Sequence, residues 1–288
     1  MNIKIGSRKS ELALKQSEAV VNMLRSEFPD DTFEIITIST QGDLQRDKTL
    51  TSFGGAGVFI KEIETALLKG EIDMAVHSAK DMPVKLPSGL TIGAALLRED
   101  RSDCLVCFGD TKIDNIKIIA TGSPRRKAQA EKLFPNAEFK PIRGNIQTRL
   151  DKVKNGEYDA VIMARTALAR LNINNVNILP LGSDFICAAG QGIIAVETVE
   201  GKMNKYTDAI NNPNVMTELI AERSFLKYTG GGCHMPCGAS AVYENGEITM
   251  RTFFRDAKTD VRLEMSDTDP IALGRKMAKK TLELSEEE

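Results

Sequence analysis

The sequence contains no tryptophan and only two histidines, His77 and His234. A Ser–His–Asp or Cys–His catalytic arrangement therefore has little to draw on. Aromatic residues make up 5% of the chain, too few to line a nucleic-acid surface with stacking platforms. No stretch approaches the ~18 continuous apolar residues that suggest a membrane span. The N-terminal Met1–Ser10 has neither an apolar signal core nor transit-peptide character. Five cysteines are an odd number in a long chain without an export signal, which points to a reducing cytoplasm and free thiols. Phosphate-loop signatures are also missing. Gly54-Gly55-Ala56-Gly57-Val58-Phe59-Ile60-Lys61 lacks Gly-Lys-Ser/Thr, and no Gly-x-Gly-x-x-Gly follows a strand signal. Nor is there a surplus of either charge: 38 Lys+Arg oppose 40 Asp+Glu, a net −2 that argues against a general nucleic-acid binder.

What is present suffices for a large fold. A chain of 288 residues, 42% hydrophobic, can bury about 75% of its extended surface and divide into two or three domains. Strand and helix signals alternate over the first 200 residues. Ile3–Ser7, Phe33–Thr40, Asp73–Ser78, Asp103–Phe108, Lys117–Ala120, Phe139–Ile142, Ala160–Met163 and Asn177–Leu179 read as strands. Ser10–Phe28, Val58–Lys69 and Pro124–Phe134 read as helices, the last with proline at its first position. The alternation predicts βαβ units, mostly parallel sheets and two similar α/β blocks. The chain is expected to cross between them near Leu97–Arg101 and return near Gly190–Val196. Gly42–Gly57 reads as a mobile loop or lid. From Asn212 onward the pattern changes to a helix, three antiparallel strands with an Asn245-Gly246 hairpin, and a helix opened by Asp269-Pro270.

The charge is unevenly placed. Thr121–Arg149 carries seven basic and two acidic residues, net +5, which leaves −7 for the other 259 positions. Arg125, Arg126, Arg143 and Arg149 fall at or near strand-to-helix junctions, where α/β sheets bind ligands and helix N-termini attract anions. Arg8 and Ser10 occupy the same position after the first strand, and Ser10 also suits an N-cap. These residues point to a polyanion, either phosphate or a multi-carboxylate compound. Lys127, Lys132 and Lys140 read as a solvated face.

Two further segments carry candidate chemistry. Lys80-Asp81 ends a strand and suits either a general acid/base carboxylate or a turn before Met82-Pro83. Gly230-Gly231-Gly232-Cys233 leaves a thiol open to a bulky group. It fits a covalent attachment site, a nucleophile or a structural loop. A zinc reading with His234, Cys237, Cys104 and Cys107 is disfavoured, because Cys104 and Cys107 sit in an apolar strand.

Ser7-Arg8-Lys9-Ser10, His77-Ser78-Ala79-Lys80-Asp81, Thr121-Gly122-Ser123-Pro124-Arg125-Arg126, Arg143-Gly144-Asn145 with Arg149, Ala189-Gly190-Gln191-Gly192 and Gly231-Gly232-Cys233 follow in this order. Together they resemble the porphobilinogen deaminase (hydroxymethylbilane synthase) family from Ile3 to at least Ser266. The resemblance implies an α/β protein of three domains. Two are periplasmic-binding-protein-like (type II) with mixed sheets, at 1–97 with 193–210 and at 98–192. A small α+β domain at 211–288 carries the cofactor cysteine.

It also implies a cytoplasmic, monomeric transferase of tetrapyrrole (haem) biosynthesis. The family joins four porphobilinogen molecules, with loss of ammonia, into linear hydroxymethylbilane on a covalent dipyrromethane cofactor. The product would pass to uroporphyrinogen-III synthase, with no metal, nucleic acid or membrane involved. Cys233 would hold the cofactor through a thioether. Asp81 would be the catalytic acid/base that stabilises the azafulvene-type cation. Lys80, Ser123, Arg125, Arg126, Arg143, Gly144 and Asn145 would bind the cofactor. Arg8, Ser10, Thr121, Arg149, Arg170 and Gln191 would bind substrate. Gln41, Ala56 and Gly122 depart from residues common in the family, and Cys237 is an extra thiol. The competing expectation is a non-enzymatic cytoplasmic binding protein for small polycarboxylate anions, using the same two-lobed fold.

Overall fold

A computed structural model describes residues 1–40, 60–109, 111, 113–232, 235–256 and 259–286. The expected loop at 42–57, with Gln41 and Ala56, lies outside the described residues, as do Cys233 and His234.

Strand β1 (Asn2–Arg8) buries Ile3 and Ile5. Helix α1 (Glu11–Glu27) returns over it with Ala13, Val20, Val21 and Leu24 inward. Strands β2 (Thr32–Ile38) and β3 (Met74–Ser78) flank β1 in parallel. Helix α2 (Lys61–Lys69) precedes β3 and ends at Gly70, which takes the left-handed conformation that closes helices. Strand β4 (Leu90–Ala95) is an edge, and β10 (Ile194–Val199) lies between it and β3, giving the order β2-β1-β3-β10-β4.

The second sheet repeats the plan. Its strands are β5 (Asp103–Cys107), β6 (Ile118–Ala120), β7 (Glu138–Lys140), β8 (Ala160–Ala164) and β9 (Asn177–Pro180), in the order β7-β6-β8-β5-β9. Helices α3 (Pro124–Leu133), α4 (Ile146–Lys154) and α5 (Arg165–Arg170) connect them. The expectation of mostly parallel sheets needs one amendment: the fourth strand of each, β10 and β5, is antiparallel to both neighbours. Each is the strand that enters from the other sheet. It arrives without a crossover helix of its own sheet, so nothing constrains it to run parallel. The two connections lie side by side, with Leu96 N–H donating to Ile194 O (3.0 Å) and Glu99 N–H to Gly192 O (3.1 Å).

After α6 (Asn204–Ile210), the chain builds α7 (Pro213–Thr229), β11 (Cys237–Glu244), β12 (Glu247–Arg255), β13 (Asp260–Asp267) and α8 (Pro270–Glu286). Positive φ at Asn245 and Gly246 makes the hairpin. Phe225, Ala239, Ile248, Met250, Leu273 and Met277 form the core between this antiparallel sheet and its two helices. Among the described residues, no helix is long and apolar enough to cross a membrane.

Candidate active site

The candidate residues gather at the carboxyl ends of parallel strands. β1 ends at Arg8, and Ser10 caps α1, its hydroxyl accepting from Ala13 N–H (3.3 Å). After β6, Thr121 Oγ1 accepts from Ser123 N–H (3.2 Å), and Ser123 in turn caps α3. After β7, Asn145 caps α4, accepting from Thr148 N–H (2.8 Å). Gly144 precedes it at φ +111°, where a Cβ would also lie 2.7 Å from Thr148 Cγ2. Three helix N-termini are thus finished by small polar caps beside arginines, an arrangement suited to anions.

β3 ends in a single 3₁₀ turn, Ala79–Asp81. Arg8, Ser10, Gln16, Ser78 and Asp81 help to line a cavity of about 50 Å³. Gln16 Nε2 donates to Ser78 Oγ (2.7 Å), tying α1 to the base of the turn. Gly190, at φ +73°, presses against the turn's backbone; a Cβ there would sit 3.0 Å from Ala79 C and Lys80 N.

Asp81 is exposed, and the groups around it are mostly cationic. Burial, then the charge of Arg126, pushes Lys80 down to about 8, against the opposing pull of Asp81 and Asp103. Burial, then Arg126, with Arg143 adding to it, pushes Arg149 down to about 10, while Asp81 opposes. Arg149 Nε donates to Gly144 O (2.8 Å). In both groups burial is the larger cause and the neighbouring cations add to it.

The structure adds an acid that the sequence did not single out. Asp103, 3% exposed, opens β5. Its Oδ2 lies 2.8 Å from Arg125 Nη2, and its Oδ1 accepts from Arg126 Nε (3.1 Å) and Nη2 (2.7 Å). Burial acts to raise its proton affinity, but the two guanidiniums hold the carboxyl well below the usual carboxylate range. Arg125 Nη1 also donates to Ile186 O (2.6 Å), and Arg126 Nη1 to Ile162 O (3.0 Å). Both arginines are thus buried and anchored at their inner edges. Gln191 bridges the sheets: Nε2 donates to Asp103 Oδ1 (2.9 Å) and Arg101 O (2.8 Å), and Oε1 accepts from Lys80 Nζ (3.3 Å).

Arg170 sits at the paired connections, donating to Glu99 Oε1 (3.0 Å) and Gly192 O (3.0 Å). Beside it, Arg98 donates to Glu222 Oε1 (2.6 Å), Glu218 Oε2 (3.0 Å) and Gln191 O (3.0 Å). Glu222, fully buried, also accepts from Gly190 N–H (2.6 Å) and Ala241 N–H (2.7 Å). This network joins α7 and β11 to the connections. In sequence, Arg98 and Glu99 stand only within the expected crossing at Leu97–Arg101. Lys127 and Lys132 are exposed and Lys140 is half-buried; they pair with Glu131, Asp260 and Glu138 respectively.

Downstream of Cys233, β11 passes against the site. A Cβ on Gly238 would lie 2.9 Å from Arg125 Cδ. Cys237 and Cys104 are buried, and burial pushes each thiol up to about 12. Neither is a thiolate near neutral pH.

Known proteins are similar to this chain in sequence. Residues 3–206 match the family described as porphobilinogen deaminase, dipyromethane cofactor binding domain. Residues 216–283 match porphobilinogen deaminase, C-terminal domain. A porphobilinogen deaminase of Lachnospira eligens is 40% identical over 290 residues, covering 97% of this chain and 98% of that protein. One from Geobacillus kaustophilus is 40% identical over 286 residues, covering 96% and 93%. One from Synechococcus elongatus is 38% identical over 289 residues, covering 96% and 90%. With both halves of the chain matched and the likeness running nearly end to end, the chain belongs to the porphobilinogen deaminase family.

Proposed function

We propose that the protein joins four porphobilinogen molecules head to tail, releasing ammonia at each addition, to give linear hydroxymethylbilane for tetrapyrrole synthesis. The observation that carries this reading is the exposed carboxylate of Asp81, set beside Lys80 and Arg149, whose proton affinity burial and then the neighbouring cations depress. Each pyrrole brings two carboxylates, and such a ligand relieves that repulsion. The same grouping of cations is the reason a dipyrromethane primer fits the site. Its carboxylates would be met by Lys80, Arg125, Arg126 and Arg143, with Ser123, Gly144 and Asn145 offering capped helix ends. The primer would be tethered at Cys233, and its chemical contribution is a free pyrrole α-carbon at which the first porphobilinogen is joined.

The chain's own residues account for the rest. Arg8, Ser10, Thr121, Arg149, Arg170 and Gln191 orient the incoming substrate through its acetate and propionate groups, each charge-assisted bond worth about 1.5–3 kcal/mol. Asp81 accepts a hydrogen bond from the substrate's pyrrole N–H. It stabilises the positive charge that grows on the ring as ammonia leaves, then takes up the ring proton lost on joining. The parts divide at 1–97 with 193–210, 98–192 and 211–288, so the site faces both sheets. The protein works as a cytoplasmic monomer and hands its product to uroporphyrinogen-III synthase.

Intact-mass measurement is the test. The purified chain should carry an adduct of two pyrrole units that is lost in Cys233→Ser. Asp81→Asn should keep the adduct and bind porphobilinogen while turnover falls by at least ~10²-fold. An unmodified chain with full turnover, or near-normal rates in Asp81→Asn, would overturn the assignment.

A further inference from the structure

We infer that Asp103 is a positioning residue: it is the internal counter-ion that fixes the cationic wall of the site, holding Arg125 and Arg126 directly and Lys80 through Gln191. The inference rests on the proposed function for its catalytic meaning, but its geometry is independent of it. Asp103 stands where the chain enters the second sheet; its Oδ1 accepts from Arg126 and Gln191, and its Oδ2 is ion-paired with Arg125 Nη2 at 2.8 Å without a hydrogen bond. Gln191 has no exposed surface, so its amide cannot turn to water. Two acceptors, Asp103 Oδ1 and Arg101 O, take both hydrogens of its Nε2. Its carbonyl is therefore left facing Lys80, as an ammonium requires. One buried negative charge thus orients three donors drawn from both sheets.

A merely structural ion pair would stabilise the fold without affecting Lys80. A counter-ion does affect it. Burial first, then the charges of Arg126, Asp81, Asp103 and Arg125, act on Lys80, and together they push its amine down to about 8. Neutralising Asp103 removes one of the two attractive charges and leaves both repulsive ones. The Lys80 midpoint should then fall by about 1 pH unit.

The experiment is reductive methylation of the protein as purified across pH 6–10, with Lys80 followed by peptide mass mapping. Whatever carboxylates the purified site holds beside Lys80, the Asp103→Asn midpoint should lie about one unit below that of the unmodified sequence. Gln191→Met leaves both arginine pairs in place and removes the acceptor, so it should also lower the midpoint. It decides the matter if Asp103→Asn does not fold. In folded variants the KM for porphobilinogen should rise at least ~10-fold, with kcat changed less, as expected when carboxylate binding is disordered. An unshifted Lys80 midpoint in a folded variant overturns the inference. The labelling uses no porphobilinogen, so failure of the deaminase reading would appear separately, as absent turnover with the Lys80 shift intact.

Discussion

Glu64 shows how much one side chain's surroundings matter. It sits in α2, 6% exposed, and burial, then the charge of Glu197, pushes its carboxyl up to about 7. Glu197 is itself buried and lies 3.0 Å from His77 Nε2. The folded chain holds the Glu64 proton more tightly than the unfolded chain does. Stability from this group is therefore full below about 4.5 and lost as pH rises through about 7. Glu64→Gln should raise the unfolding free energy at pH 8 by on the order of 2 kcal/mol, seen as a higher thermal midpoint, and change it little at pH 5. Melting curves at the two pH values check this. The residue scale is also where sequence reading reached least far. Arg125 and Arg126 stood out by position, yet their shared partner, Asp103, lies more than twenty positions earlier. In sequence it looks like the polar start of the run Cys104-Leu105-Val106-Cys107. Only the antiparallel entry of β5 brings its carboxylate under α3.

At the scale of elements, the caps carry two functions that can be separated. Asn145 satisfies the first turn of α4 and presents that helix end to the site. Asn145→Ala should cost about 1 kcal/mol of stability. Asn145→Asp should cap equally well and melt normally, but a negative charge there should raise the KM for porphobilinogen several-fold. Paired unfolding and steady-state measurements distinguish the two effects. Elements with strong local signals were legible: α1 and α3 by their caps, the β11–β12 hairpin by Asn245-Gly246. β4 was not. Gly93 interrupts it, because a Cβ there would meet Thr207 Cγ2 at 2.8 Å, and a strand glycine weakens the pattern. β10 was read only as a return point, since it is buried from Ile194 to Thr198 with Glu197 among those residues, and no alternation marks it.

At the scale of the molecule, Arg98 and Glu222 hold three parts together: the paired connections, α7 and β11. Arg98→Met would leave Glu222 buried and uncompensated, a change that costs about 3–5 kcal/mol. We expect calorimetry of this variant to show two separate transitions, with the C-terminal helices and sheet melting first. The two-block organisation was legible because each block repeats strand–helix alternation. The antiparallel fourth strands were not, since direction depends on where a strand arrives from and not on its residues.

The placement of β10 also sets a timetable for synthesis. Among the described residues β4 pairs only with β10, which emerges about a hundred residues after β4 is complete. At about 5–20 residues per second, the ribosome leaves β3 with a bare edge and β4 without a partner for roughly 5–20 s. The second sheet, uninterrupted from 103 to 180, can close during that interval. A fragment of residues 98–192 should therefore acquire cooperative structure alone. Residues 1–97 should not, and should be the part of the nascent chain that a chaperone shields until β10 arrives.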